Sequence, residues 1–519
     1  MKYKVMMLFS LGILLISSLS LYAQSVGDYQ TRSSGDWGNA QIWQRYNGAW
    51  VNIGTPPTGS ETIIVRSADS VFVNVPVSIT GTLVNQGIVE ANANLTIANG
   101  GIYEHNRDGG KIPLATWATG STLLITGVTA VAPTDRDQDY YHIIFNTPGM
   151  LSNLNMNLDE NTIRGDVRVV NTGTARWYLT TATANDTSVV TILGDVIVEK
   201  GNFAVQGTGN ALTTFIVHHY GNIHVTGGNF SIARGSQPGG TTTWYLHEGN
   251  FSMSNATTQS STATPGGARF VFMKEGTQTL TLGAGNTLTA LPMEVKSGTT
   301  LDMGASTLAG SGIFILNEGA TLITSVAAGI AEIFKNVVAV VTLTAGSGFG
   351  FNGTTAQVTS PLMPTTVGDL IINNTAGVTL SQQTAINGVL RLVAGVFDNT
   401  FPFTLGPTGS ISYEGGSLKV ATSVESARYK IPESFFVEQN YPNPFNPSTM
   451  IRFSLPSASH VTVQVFNMLG QEVASLFSGL KDAGVHELLF DAANLGADVY
   501  LCRIQAGDVV SIRRMVLVK

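Results

Sequence analysis

The stretch Gly165-Asp166-Val167-Arg168-Val169 recurs twice further along the chain, as Gly194-Asp195-Val196-Ile197-Val198 and as Gly221-Asn222-Ile223-His224-Val225. The glycines that open the three copies lie 29 and then 27 residues apart. The second and third copies also continue alike, with Gly201-Asn202-Phe203 in one and Gly228-Asn229-Phe230 in the other. Apolar and polar residues alternate in these copies, which is typical of a strand with one buried face. A strand-forming unit is therefore repeated in this part of the chain.

A repeat of this length indicates a solenoid, a propeller or a linear array. A propeller blade needs about 40–45 residues and four antiparallel strands, which is more than this unit provides. The unit fits one coil of a parallel β-helix, in which each strand stacks on its equivalent in the next coil. Glycine and asparagine would supply the corners that need positive φ, and asparagines at equivalent corners could form ladders between coils. Several separate antiparallel sandwiches are the alternative, because the same composition suits them.

The same strand-forming composition extends over residues 62–420, which we interpret as a β-solenoid. The chain of 519 residues contains 57 glycines, and without a collagen period this many glycines indicates tight turns. Gly368-Asp369-Leu370-Ile371-Ile372 is a further variant of the unit. It resembles the stacked segments of large β-helical surface proteins from Bacteroidetes-type bacteria. We therefore expect an all-β protein with a parallel β-helix-like solenoid.

Charge and cysteine content exclude several classes of function. Only 12% of the residues are charged and the net charge is −7, and the sequence has no stripe of Lys and Arg, so nucleic-acid binding has no electrostatic support. The single cysteine, Cys502, can form neither an internal disulfide nor a cysteine-based zinc site. It lies in an alternating segment, Val499 to Ile504, and we expect it to be a small core residue.

The N-terminus has the pattern of a signal peptide. Met1-Lys2-Tyr3-Lys4 is a short basic start, and an apolar stretch runs from Val5 to Leu21. A small residue, Ala23, follows at the expected cleavage position, so residues 1–23 are predicted to be removed on export. An uncleaved membrane anchor is the alternative, because the apolar stretch is just long enough to span a bilayer.

Residues 24–61 differ in composition from the solenoid and contain three of the six tryptophans, Trp37, Trp43 and Trp50. The end of a solenoid exposes an unpaired edge unless something covers it. We interpret the segment as an N-terminal cap whose tryptophan rings cover the first coil. An aromatic platform that binds carbohydrate is the alternative.

Residues 421–432 contain no glycine and a higher density of charge than the solenoid. This composition predicts a linker between the solenoid and a C-terminal domain. Arg428 and Lys430 would be accessible there to a protease.

Residues 433–519 form a second domain by their pattern. The segment opens with Asn440-Tyr441-Pro442-Asn443-Pro444-Phe445-Asn446-Pro447, whose prolines and asparagines are incompatible with a helix. Six or seven short alternating runs follow, separated by turn residues such as Leu469-Gly470-Gln471. This spacing predicts a small immunoglobulin-like β-sandwich.

The C-terminal segment closely resembles the type A sorting domain of proteins exported by the type IX secretion system. The residues that match its signature are Asn440, Tyr441, Pro442, Asn443, Pro444, Phe445, Asn446, Pro447, Gly470, Tyr500, Met515 and Lys519. The chain departs from the family pattern at Ala497-Asp498, where Ser-Gly is usual, and at Cys502, where an aromatic residue is usual. These departures concern packing.

The resemblance implies a route of export. After passage through the periplasm, the sorting domain would be recognised by the outer-membrane translocon and removed by a sorting-domain peptidase. The remaining passenger would be secreted or attached to the outer cell surface, with lipopolysaccharide, glycans or matrix as its expected contacts.

The passenger sequence shows no catalytic motif, and we predict no catalytic, cofactor-binding or metal-binding residues. Asp135, Asp137 and Asp139 could offer oxygens to Ca²⁺, but the loop lacks the glycine and the final glutamate of an EF-hand. We interpret it as a solvated turn. His218, His219 and His224 are close in sequence, but His218 and His219 would point to opposite faces of one strand.

Two functions follow for the passenger. The first is a non-catalytic structural or adhesion solenoid, which the scarcity of charge favours. The alternative is a β-helical polysaccharide lyase or glycoside hydrolase, which would need carboxylates or bases that converge in one groove.

Overall fold

The computed structural model describes residues 24–92, 94–180, 187–207, 214–233, 241–260, 268–283, 287–289, 291–310, 312–337, 340–419, 434–482 and 484–518. The predicted signal peptide with Ala23, the predicted linker at 421–432 and the terminal Lys519 lie outside these residues. The chain divides into two compact units, Met1–Ser417 and Leu418–Lys519. Among the described residues there is no helix with both the length and the apolar character needed to cross a membrane.

The first unit is a parallel β-helix in which most coils contribute strands to three faces. One coil shows the order, with Thr82–Asn85 on the first face, Ile88–Ala91 on the second and Leu95–Ile97 on the third. The chain then returns to the first face at Ile102–His105, which pairs in parallel with Thr82–Asn85. The predicted parallel solenoid is therefore confirmed, and the alternative of separate antiparallel sandwiches is wrong for this unit.

The first face is one sheet of 19 strands within the described residues. Its parallel strands are Tyr29–Thr31, Thr62–Val65, Thr82–Asn85, Ile102–His105, Thr122–Ile125, His142–Asn146, Val167–Asn171, Val196–Val198, Ile223–Val225, Phe251–Met253, Gly276–Leu282, Thr299–Asp302, Thr321–Thr324, Gly348–Phe351, Leu370–Asn373, Val389–Ala394 and Ser410–Tyr413. Trp43–Tyr46 and Trp50–Asn52 extend its N-terminal edge in the antiparallel direction.

The second and third faces consist of shorter parallel sheets. The strands of the second face are Gly35–Asp36, Ser70–Val73, Ile88–Ala91, Leu154–Asn155, Arg176–Tyr178, Asn202–Gln206, Asn229–Ala233, Thr257–Gln259, Thr287–Thr289, Ala309–Gly310, Asn336–Val337, Gln357–Val358, Val378–Thr379, Val396–Asp398 and Ser417–Leu418. Those of the third face are Val77–Ile79, Leu95–Ile97, Thr116–Trp117, Thr162–Ile163, Thr187–Ile192, Thr214–His219, Thr241–Leu246, Ala268–Phe272, Met293–Val295, Phe314–Leu316, Val341–Leu343, Thr366–Val367, Thr384–Ile386 and Phe403–Leu405. A 3₁₀ turn at Ala40–Ile42 and a short helix at Ile330–Ile333 interrupt the strands.

The coils differ in length along the solenoid. Leu83 lies opposite Tyr103, and Tyr103 lies opposite Leu123, so these coils contain 20 residues each. In the middle of the solenoid Val167 lies opposite Val196 and Val196 opposite Ile223, which are the longer coils of 29 and 27 residues that the sequence repeat predicts. Part of the additional length lies in the third-face strands, which have six residues at Thr187–Ile192 and Thr214–His219 but three at Leu95–Ile97. The rest lies mainly between the second and third faces.

The repeated glycines stand where successive coils approach most closely. A Cβ atom on Gly194 would lie 2.3 Å from the carbonyl carbon of Gly165, and one on Gly221 would lie 2.0 Å from the carbonyl oxygen of Gly194. Close backbone approach therefore requires glycine at this corner. Positive φ, the reason expected from the sequence, applies instead to Gly201 and Gly228, with φ of 101° and 70°.

A ladder of side-chain oxygens runs along the next position of the same corner. The Oδ1 atom of Asp166 accepts the backbone N–H of Asp195 at 2.9 Å, and Asp195 Oδ1 accepts that of Asn222 at 2.7 Å. Asn222 and Asn250 continue the series, and the last acceptor takes the N–H of Thr279 at 2.8 Å. Each rung needs only an acceptor oxygen, which explains why both Asp and Asn occur there. This ladder joins side chain to backbone as well as side chain to side chain.

The interior of the solenoid is filled by the alternate residues of each strand, and the wider middle coils contain large rings. Trp177, Phe203, Phe230, Trp244 and Phe270 are fully buried there. His219 is also fully buried, its Nε2 atom 2.8 Å from the carbonyl oxygen of Gly194. Burial lowers the pKa of His219 to about 4, so this imidazole is neutral in the folded protein at neutral pH.

The three N-terminal tryptophans pack against other aromatic rings of the first coil. Trp37 and Trp43 are 3% and 0% exposed, their ring centroids lie 5.2 Å apart, and Trp43 Nε1 donates to the carbonyl oxygen of Trp37 at 2.9 Å. Trp50 packs edge-on against Tyr46 with ring centroids 5.3 Å apart. Trp37 and Trp43 therefore present no ring face to solvent, whereas Trp50 is partly exposed.

The second unit is a small β-sandwich. One antiparallel sheet contains Phe436–Val437, Ser448–Leu455 and Gly484–Asp491, and the other contains Glu472–Lys481, Ser459–Phe466, Asp498–Ala506 and Val509–Leu517. Residues from both sheets form one buried cluster, which includes Phe453, Val463 and Ile504. The predicted small β-sandwich after an all-β solenoid is confirmed.

The glycine corner gives a test of the stacking. Gly221→Ala should lower the free energy of unfolding by about 1–3 kcal/mol, because the added methyl group meets the backbone of the neighbouring coil. Gly54→Ala is the matched control, since a Cβ at the exposed Gly54 meets nothing within 4 Å. Thermal unfolding of both variants measures the difference, and an equal midpoint for the two would show that this corner does not limit the fold.

Candidate functional site

The entry segment of the second unit, Asn440 to Pro447, is hydrogen-bonded to the last strand of the chain. Asn443 Oδ1 accepts the backbone N–H of Val516 at 2.8 Å, and its Nδ2 donates to the carbonyl oxygen of Arg514 at 3.2 Å. Phe445 continues the contact as a parallel bridge, donating to Val516 and accepting from Val518, both at 2.9 Å. The side-chain amide of Asn443 therefore binds the backbone of the terminal strand through both its oxygen and its nitrogen.

Asn440 holds the turn that precedes this contact. It is 3% exposed, and its Nδ2 donates to the carbonyl oxygen of Pro442 at 3.1 Å and to Thr449 Oγ1 at 2.9 Å. The Thr449 hydroxyl in turn donates to the same Pro442 oxygen at 2.8 Å. The Tyr441-Pro442 and Asn443-Pro444 peptide bonds are cis. A buried three-way hydrogen-bond set therefore fixes the path of the entry segment.

The other predicted signature residues divide into buried and exposed groups. Phe445, Tyr500 and Met515 are buried in the sandwich core, and the Tyr500 hydroxyl donates to the carbonyl oxygen of Gly496 at 2.8 Å. Gly470 has φ of 79° in a tight turn. The residues of the signature that are exposed are Tyr441, Pro442, Pro444, Asn446, Pro447 and Gly470.

Cys502 lies inside the sandwich, as expected from its alternating segment. It is 1% exposed and faces Val465 on the neighbouring strand. Burial raises the pKa of its thiol to about 12, so the reactive thiolate form is scarce at neutral pH.

Two further residues hold the signature in place, of which Gln439 belongs to the matching segment and Thr449 was not indicated by the sequence. Thr449 completes the hydrogen bonds around Asn440, and Gln439 donates through Nε2 to the carbonyl oxygen of Arg514 at 2.7 Å. Arg514 lies 75 residues from Gln439 in sequence, and only the fold brings the two together. The Pro-rich and Asn-rich composition of the segment was the signal that marked it.

The carboxylates of the acidic loop, Asp135, Asp137 and Asp139, do not converge on one point. Asp135 Oδ2 pairs with Lys111 Nζ at 3.0 Å, whereas Asp139 lies against Arg164 at 3.3 Å and accepts the N–H of Thr162 at 2.9 Å. Asp137 is exposed. Within the part of the chain that the structure describes, no three His, Cys, Asp or Glu side chains come close enough to hold a metal together.

The three histidines singled out in the sequence are separated by the fold. His219 points into the core, and His224 Nδ1 lies 2.8 Å from Ser252 Oγ on the outside. His218 is also on the outside, but its partner is His247, whose Nε2 lies 2.9 Å from His218 Nδ1. His247 is 29 residues away, one coil further on, and nothing in the local sequence indicated this contact.

The charged cluster on the third face is held by ion pairs and hydrogen bonds among its own side chains. Glu294 Oε2 lies 3.0 Å from Arg269 Nη1, and Oε1 lies 2.5 Å from Lys296 Nζ and accepts from Asn317 at 2.9 Å. Burial acts to raise the pKa of Glu294, but the hydrogen bonds from Lys296 and Asn317 and the charges of Lys296 and Arg269 outweigh it, so the pKa lies below its usual value. An ionised carboxylate with these partners suits an ion pair better than a general acid.

Comparison with known proteins identifies the second unit. Residues 439–519 match the family model described as the secretion system C-terminal sorting domain. No curated protein matches the chain, and no solved structure does. The sorting-domain match and the solenoid together support a cargo protein of the type IX secretion system with a β-helical passenger.

The hydrogen bonds from Asn443 to the backbone of Val516 and Arg514, which we call the strand clamp, can be tested with a matched pair of variants. Asn443→Ala should destabilise the sandwich by about 1–3 kcal/mol, because it leaves the backbone N–H of Val516 without its acceptor, whereas the Arg514 carbonyl keeps its hydrogen bond from Gln439. Asn446→Ala is the control, since Asn446 is exposed three residues later. Hydrogen exchange of the Val516 amide reports the clamp directly. Equal protection in the two variants would contradict the assigned role of Asn443.

Proposed function

We propose that the solenoid is a non-catalytic structural or adhesion rod that the sorting domain delivers to the outer cell surface. The sorting domain indicates export by the type IX secretion system and interaction with its machinery. Its recognition by the translocon, its removal by a peptidase and the attachment of the passenger to surface lipopolysaccharide belong to the proposal. So do glycans or matrix as the material that the rod contacts.

The proposal rests on the ion pairs that the charged side chains of the solenoid form between neighbouring coils. Arg168 and Glu199 form an ion pair at 2.5 Å between neighbouring coils. Arg391 binds Glu414 through two hydrogen bonds of 2.9 Å, also between neighbouring coils. These side chains fasten coil to coil, and the continuous first face joins all coils through backbone pairing. Such an arrangement supports a mechanical role.

A polysaccharide-degrading enzyme is the competing function. Its best location would be the Arg269, Glu294, Lys296 and Asn317 cluster, where one carboxylate lies between two cations. A lyase or hydrolase needs a base or acid that is free to exchange a proton with its substrate. Glu294 is held by its three partners, which favours the non-catalytic function.

The export route has a direct test. Deletion of residues 432–519 should leave the solenoid in the periplasm, because the family match and the strand clamp both lie in this segment. Immunodetection on intact cells and in periplasmic extracts measures the distribution. In the reciprocal experiment residues 1–23 and 432–519, fused to a neutral reporter, should export that reporter. Arrival of the truncated chain at the surface would refute the sorting role.

The passenger's role is tested by two assays on the chain from residue 24. A glycan array should show binding, and incubation with a panel of polysaccharides should give no new reducing or unsaturated ends. Glu294→Gln serves as the control, because it changes the charged cluster without changing the size of the side chain. Cleavage that disappears in this variant would replace the adhesion proposal with the enzymatic one.

A further inference from the structure

Four rings from two neighbouring coils form a continuous ribbon on the outer surface of the third face. His218 and Tyr245 are direct cross-strand partners, with ring centroids 5.5 Å apart and planes at 14°. Tyr220 and His247 stack in the same way at 4.5 Å and 10°. The two imidazoles lie between the tyrosines with centroids 5.1 Å apart. Each imidazole is therefore held in its plane by a tyrosine.

The two imidazoles point their nitrogens at each other. His218 Nδ1 and His247 Nε2 are 2.9 Å apart, a contact in which one nitrogen donates its proton and the other accepts it. If each proton moves to the far nitrogen of its ring, both facing nitrogens present a lone pair. Metal–imidazole bonds are about 2.0–2.1 Å long, so two nitrogens on adjacent corners of a square-planar ion lie about 2.8–3.0 Å apart. The observed separation already has this value.

We propose that His218 and His247 form a two-imidazole binding site for a divalent late first-row transition ion, above all Cu²⁺, on the surface of the solenoid. Solvent fills the remaining coordination positions, since both rings lie at the surface and Tyr220 beside them is 40% exposed. Tyr220 and Tyr245 support the two rings by stacking, and adjustment of χ1 and χ2 at each histidine would aim both lone pairs at one ion. This site is separate from the sorting domain.

The chemistry of the pair suits this class of ion. Imidazole nitrogen binds copper, nickel and zinc, and affinity for a given set of ligands is highest for Cu²⁺ among these ions. Burial and the neighbouring His218 lower the pKa of His247, with Glu248 acting in the opposite direction. Glu248 itself is engaged by Lys274 at 3.6 Å.

His224 provides a matched control on the outside of the neighbouring first face. Its Nδ1 lies 2.8 Å from the Ser252 hydroxyl, and its Nε2 lies 3.9 Å from Asp195 Oδ2, so it meets no second imidazole. A histidine that binds copper merely because it is accessible would behave like His224. A site built from two convergent rings would not.

Titration of the chain from residue 24 with Cu²⁺, followed by calorimetry and electron paramagnetic resonance, tests the proposal. We expect one ion whose spectrum shows coupling to two nitrogen nuclei. His218→Gln and His247→Gln should each weaken binding at least about tenfold, and His224→Gln should leave it unchanged. Circular dichroism and thermal unfolding establish that each variant is folded, and two variants of the pair allow one to decide if the other is unstable.

Two results would overturn the site. If folded His218→Gln and His247→Gln both retain the affinity and the two-nitrogen spectrum of the parent chain, copper binds elsewhere. If His224→Gln weakens binding as much as they do, the binding reflects accessible histidines in general.

Discussion

Backbone pairing between successive coils is the interaction on which the solenoid depends. Each strand finds its partner in the next turn of the chain, so the coils must keep a constant spacing at every corner. At the corner before the first face this spacing leaves no room for a side chain on Gly194 or Gly221. The next position then supplies the oxygen that accepts a backbone N–H from the following coil. The repeated Gly-Asp and Gly-Asn pairs are the chemical consequence.

The same constraint on coil spacing explains which features of a coil can vary, namely its length and its outward-facing side chains. Coils near both ends of the solenoid contain about 20 residues, whereas middle coils contain 27 to 29, because additional chain lies in the third-face strands and between the second and third faces. The wider middle coils are filled by tryptophan and phenylalanine rings. On the outside, side chains pair with neighbours one coil away, as Arg168 does with Glu199 and His218 with His247. The surface chemistry of the rod is therefore organised across coils.

The entry segment of the C-terminal sandwich is held by side-chain hydrogen bonds to the backbone and not by regular strand pairing. Its entry segment is extended and rich in proline, and it has few backbone donors of its own to offer a neighbouring strand. Asparagine side chains replace them, with Asn440 bound to Pro442 and Thr449, and Asn443 bound to the terminal strand. This arrangement ties the beginning of the sorting domain to its end, so a signal spread over the whole segment is presented as one folded unit.

The all-β class, the parallel solenoid, the small C-terminal sandwich and the sorting signature could all be predicted from the sequence, although separate antiparallel sandwiches stayed open as an alternative to the solenoid. These follow from alternation, from the Gly-Asp repeat and from a proline-rich and asparagine-rich entry, all of which are local patterns. The sequence could not give the length of the end coils, since their strands share no repeated motif. It also assigned positive φ to corner glycines such as Gly221, where close approach between coils is the actual reason. The pairing of His218 with His247, the separation of Asp135 from Asp139, and the clamp between Asn443 and Val516 were decided by the tertiary structure. Each joins or separates side chains through the stacking of whole coils or strands, and that register is set by packing across the molecule.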